Sequence, residues 1–65
     1  MSNLIKALAA KYNADILNAK ANIEVYRTMP AGIGEHSDVT EAIIAELDKM
    51  AAAADRLEMI EKHFS

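Results

Sequence analysis

From Val39 to Phe64 the sequence runs with neither proline nor glycine, and its apolar residues keep helical time. Val39, Ile43, Leu47, Met50, Ala54, Leu57 and Phe64 recur at steps of three, four or seven. At 100° per residue those steps share one side of an α-helix. Ile60 and Ala53 widen the stripe on one flank, Ile44 and Ala51 on the other. A helix of this kind is stable in water only when its apolar side is covered. The rest of the chain must therefore supply the cover or lead into it.

The cover is a second helix. Ser2 stands where an N-cap hydroxyl would accept a backbone N–H, and Ile5, Leu8, Ala9, Tyr12, Ile16, Ala19, Ile23 and Tyr26 follow at helical spacing. The spacing predicts a helix over 3–28. A turn over 29–37 then holds Pro30, which cannot continue a helix, and Gly32 and Gly34, which permit otherwise barred backbone angles. Ser37 or Asp38 caps a second helix over 38–64, with Asp38 and Glu41 in capping-box spacing. Glu58 and Lys62 form a supportive four-residue pair, and Lys62 and His63 suit the negative end of the helix. The expectation is an all-α protein: one domain over 1–65, folded as an antiparallel two-helix hairpin.

Such a hairpin is short of core. Sixty-five residues rarely bury enough to stand alone by more than about 3–5 kcal/mol. There is no cysteine for a disulfide or thiolate site, and two histidines are too few for a histidine-built zinc site. Oligomerisation or very regular helix packing remains. A second apolar stripe points to the first of these: Ala7, Ala10, Ala14, Leu17, Ala21 and Val25 lie opposite the inner stripe of the first helix. Ile44, Ala51 and Met59 extend past what one partner can cover on the second. These nine residues are the expected contact surface for another copy, in a four-helix bundle dimer or a larger oligomer, or for another protein. Glu46 and Glu61 fall on or beside the second helix's stripe, where they snorkel at its edge or pair with a lysine across the interface.

Charge is split along the chain. Residues 1–28 carry Lys6, Lys11, Lys20 and Arg27 against Asp15 and Glu24, a balance of +2. Residues 29–65 carry Lys49, Arg56 and Lys62 against Glu35, Asp38, Glu41, Glu46, Asp48, Asp55, Glu58 and Glu61, a balance of −5. The two halves attract one another, weakly and in a salt-dependent way. The first helix's cations and asparagines offer an alternative reading as a nucleic-acid-binding bundle, against which the acidic second helix weighs. No apolar run approaches the roughly 20 residues needed to span a bilayer, and no leader pattern opens the chain, so a cytoplasmic setting is expected.

No catalytic, cofactor or metal constellation is legible. The turn Gly32-Ile33-Gly34-Glu35-His36 lacks the third glycine and preceding strand of a dinucleotide-binding loop. Glu35, Asp38 and Glu41 place negative charge where an anion would sit at the second helix's start. His36 and His63 are separated by about 40 Å of helix, and no E-x-x-H pair accompanies them. Ser2, Ser37 and Ser65 serve as caps or chain end rather than as nucleophiles beside a base. The two tyrosines, Tyr12 and Tyr26, fall on the inner stripe as packing residues with their hydroxyls at the rim.

The segment Val25-Tyr26-Arg27-Thr28-Met29-Pro30-Ala31-Gly32-Ile33-Gly34-Glu35-His36-Ser37-Asp38, with Glu41-Ala42-Ile43, Leu57 and the closing Glu61-Lys62-His63-Phe64, resembles short uncharacterised proteins encoded by tailed bacteriophages. The resemblance is carried best by the second half of the chain. It implies a small helical accessory protein in the bacterial host cytoplasm; the excess apolar surface makes a host protein an expected partner. It transfers no activity, cofactor or catalytic residue.

Overall fold

The computed structural model describes residues 1–28 and 36–65, the side chains of 36–38 excepted. Two helices make up the fold, α1 over Asn3–Arg27 and α2 over His36–Phe64, packed against each other. No strand occurs among the described residues. The turn residues Pro30, Gly32, Gly34 and Glu35 lie outside the described residues, as do the side chains of His36, Ser37 and Asp38, where the sequence places the second cap.

Both described ends of α1 are closed by its own sequence. Ser2 has extended backbone geometry, and its hydroxyl accepts from the Ile5 N–H at 3.2 Å, satisfying one of the donors that a helix start leaves open. Thr28 closes the other end: its N–H and its hydroxyl both donate to the carbonyls of Glu24 and Val25. Arg27 pairs with Glu24 one turn back, near the negative end of the helix. Replacing Ser2 with alanine is expected to destabilise the hairpin by about 1 kcal/mol, read as a lowered thermal midpoint by circular dichroism. An unchanged midpoint would mean that the first turn frays in solution.

Two cross-helix contacts fix direction and register. Asn22 meets Glu46, and the Tyr12 ring meets the Arg56 guanidinium 5.5 Å from its centroid. Ten residues back along α1 matches ten forward along α2, so the helices run antiparallel without slippage between the two contacts. The α1 side of the seam is the one its periodicity predicts: Ile5, Leu8, Ala9, Tyr12, Ile16, Ala19, Ile23 and Tyr26 are all buried or half-buried.

The α2 side is rotated from the expected stripe. Val39, Ile43, Glu46, Met50, Ala53, Leu57 and Ile60 face inward at alternating steps of four and three, with Ala42 and Ala52 half-buried beside them. That is a 3.5-residue period, the period that keeps two helices in contact as they wind gently around each other. Leu47 and Phe64, expected inside, are 50% and 60% exposed, and Ala54 is exposed as well. A count of apolar residues alone prefers Leu47 to Glu46; the seam takes Glu46 because that position satisfies the repeat.

The most deeply buried residues are Ala19 and Ala53, with Ile60 near the far end of α2. Small side chains at the seam let the two backbones come close. The product is a rod of 49 × 14 × 11 Å with a radius of gyration of 15.1 Å. A compact chain of this length would have a radius near 11 Å. One layer of two helices encloses little, and among the described residues no large side chain is fully buried.

Candidate interaction surfaces

The two broad sides of the hairpin differ in chemistry. On one side an open cleft of about 520 Å³ runs between the helices, lined by Asp15, Asn18 and Asn22 from α1 and by Glu46, Lys49 and Arg56 from α2, among others. Glu46 is its most constrained member, a carboxylate only 7% exposed at a seam position. The Asn22 amide donates to one of its oxygens at 3.0 Å, and the Lys49 ammonium donates to the other at 3.0 Å. The lysine comes from one turn along the same helix, not from across an interface. Asp48 also lines the cleft, and two of the cleft's other charged groups have local partners. Lys11 pairs with Asp15 at 2.7 Å, and the Lys11 ammonium and the Arg56 guanidinium both approach the Tyr12 ring.

These contacts hold the Glu46 carboxyl below its ordinary value of 4.5, the Asn22 hydrogen bond first and the Lys49 hydrogen bond next, against a smaller opposing effect of burial. A carboxyl that is more acidic folded than unfolded stabilises the fold above its ordinary pKa. That contribution is lost as pH falls through 4.5 and below. The thermal midpoint is therefore expected to drop between about pH 5 and about pH 3, and an Asn22→Ala variant should show a shallower drop. A variant curve parallel to the wild type would remove Asn22 as the main cause.

Apolar residues are exposed elsewhere on both helices. All nine predicted contact residues are exposed: Ala7, Ala10, Ala14, Leu17, Ala21 and Val25 on α1, and Ile44, Ala51 and Met59 on α2. Leu17 is 65% exposed and Val25 63%. By the 100° rule the six α1 residues fit within about 80° of arc, half a turn from the seam. On α2, Leu47 and Ala54 join Ile44 and Ala51 in a second heptad-spaced line, 44-47-51-54, on the flank away from Lys49 and Arg56. Met59 lies apart from that line. The sequence therefore marks Ile44 and Ala51 but not their companions, because Leu47 and Ala54 look like core residues until Glu46 and Ala53 are seen to hold the seam.

On the candidate nucleic-acid face, Lys6, Lys20 and Arg27 share about 60° of arc on α1 by the 100° rule, and Lys11 stands apart from them. Lys11 and Arg27 are engaged with Asp15 and Glu24, and by the 100° rule Lys11 points about half a turn away from Lys20 and Arg27. Among the described residues, no three His, Asp or Glu side chains are placed to hold a metal ion, and no helix is long and apolar enough to cross a membrane. The His63 ring lies edge-on to Phe64, with centroids 6.4 Å apart, at the C-terminal end of α2. No protein-family model matches the chain, and neither a curated protein nor a solved structure is similar enough to carry an inference.

Proposed function

We propose that this chain is a small, non-enzymatic interaction protein that self-associates through its uncovered apolar helix surfaces. One observation carries the reading. The chain exposes 4846 Å², whereas a compact protein of 7.1 kDa exposes about 4,100 Å², an excess of roughly 750 Å². Each partner in an ordinary stable protein interface buries about 800 Å². Large apolar residues such as Leu17, Val25, Ile44 and Leu47 are among those left exposed by the hairpin. Assembly of copies into a helical bundle would add the second layer that the single hairpin lacks.

The likeness of the turn to short tailed-phage proteins supports an accessory role in a bacterial host cytoplasm, with a host protein as the further partner. The acidic second half of the chain, and the engagement of Lys11 and Arg27 with Asp15 and Glu24, weigh against nucleic acid as that partner. Size-exclusion chromatography with light scattering tests the central claim. An oligomer is expected at micromolar concentration, and a well-folded monomer there would overturn the reading.

A further inference from the structure

The α1 stripe around Leu17 and Val25 and the α2 line 44-47-51-54 are separate surfaces. The stripe points directly away from α2, and the line lies roughly 110° around α2 from its seam. Seen down the rod, the two thus face roughly 110° apart. Polar residues divide them both ways round. On one side Lys6, Asn13, Lys20 and Arg27, all exposed and spaced by sevens, separate the stripe from the seam, with Glu24 among them paired to Arg27. The other way round come the cleft residues Asn18, Lys49 and Arg56, then Asp48 and Asp55. Both surfaces carry large apolar side chains at comparable exposure: Leu17 65% and Val25 63% on the stripe, Ile44 47% and Leu47 50% on the line. One partner cannot lie flat on both. Bridging them would also take Lys6 and Lys20 out of water, and neither has an ion pair among the described residues.

We infer that each copy meets other copies through both surfaces, so that the assembly is larger than a dimer. This rests on the self-association reading and extends it. Either pairing of the surfaces gives the same result. Like on like links copies alternately by stripes and by lines, and stripe on line links them head to tail. In both, a copy with a single neighbour leaves one apolar surface in water. The excess of roughly 750 Å² is about what one partner buries in an ordinary interface. Divided over two surfaces, it makes two contacts that are each small. Small contacts hold when the assembly closes, because each copy is then held twice. Mass should therefore rise steeply with concentration, from monomer to the full assembly with little dimer between.

Light scattering on the wild type, Leu17→Glu, Ile44→Glu and the double variant tests the two-surface assembly. Leu17→Glu disables the stripe and Ile44→Glu disables the line, because a carboxylate forced into an apolar contact is costly to bury. Both positions are exposed, and glutamate is a good helix former, so the helical circular dichroism should be kept in all four proteins. The wild type is expected to be heavier than a dimer at micromolar concentration. Each single variant should fall to a dimer where like surfaces meet, or to a monomer where stripe meets line. The double variant should be monomeric. A wild type that stops at a dimer, a single variant that still exceeds a dimer, or a double variant that still assembles overturns the two-surface assembly and leaves self-association standing. A monomeric wild type overturns both.

Discussion

Ile60→Ala is expected to leave the chain largely unfolded at micromolar concentration. Ile60 is 7% exposed and is the largest apolar side chain among the buried residues. Truncating a buried isoleucine to alanine costs about 2–5 kcal/mol, the lost transfer free energy plus the void left behind. A core of this size supplies no more than about 3–5 kcal/mol in all. The loss thus approaches the whole stability, where in a larger domain it would only lower the midpoint. Leu4→Ala is the control: Leu4 is 71% exposed, and its removal should change stability by no more than about 0.5 kcal/mol. Urea titrations followed by circular dichroism would show both. Self-association predicts a further sign, since binding of folded copies to each other stabilises them by mass action. Helicity lost in Ile60→Ala should return in part as concentration rises. Retention of full helicity at low concentration would mean that the far end of the hairpin contributes little to the core.

How legible all this was in the sequence differs between the helices. On α1 most of the large apolar side chains share the seam, and the opposite stripe is mostly alanine, so Ile5 through Tyr26 read correctly. Ser2 read correctly as a cap because the capping chemistry is local. The Glu58–Lys62 pair, at 3.5 Å, is equally local. On α2 the apolar residues occupy more than one face, and hydrophobicity alone cannot say which is inside. The deciding signal was the strict four-three alternation through 39, 43, 46, 50, 53, 57 and 60, masked because one of those positions is a glutamate. Asn22 lies outside the apolar stripe of α1 and carries no local signal of its role. Its role depends on a residue twenty-four positions away, and such a pairing becomes visible only once the register is known. The contact surface is legible only as exposed area. Nothing in one chain's periodicity says what covers it.

The seam glutamate yields the sharpest expectation. Glu46 sits where the repeat calls for an apolar residue, and its two hydrogen bonds come from Asn22 across the seam and Lys49 beside it. A polar pair at a seam opposes register slip, because only one alignment of the helices brings both partners together. It adds little to stability compared with well-packed leucines in the same places. Changing both residues, Asn22→Leu with Glu46→Leu, is therefore expected to raise the thermal midpoint and abolish the part of the acid transition below pH 4.5 that Glu46 causes. Asn22→Leu alone should do the reverse and lower the midpoint, because it removes the principal donor from a carboxylate that stays in the seam. The double variant should also lose uniqueness: light scattering should show a broader spread of oligomers, and the amide spectrum more than one set of seam resonances. Leucine at both positions removes the penalty for sliding α2 along α1 by a heptad, and it joins the cleft side to the apolar surfaces already open to other copies. A double variant that is destabilised, or that keeps one sharp oligomeric species and one set of resonances, would show that the register is held by the shape of the alanine seam at Ala19 and Ala53 and not by the Asn22–Glu46 pair.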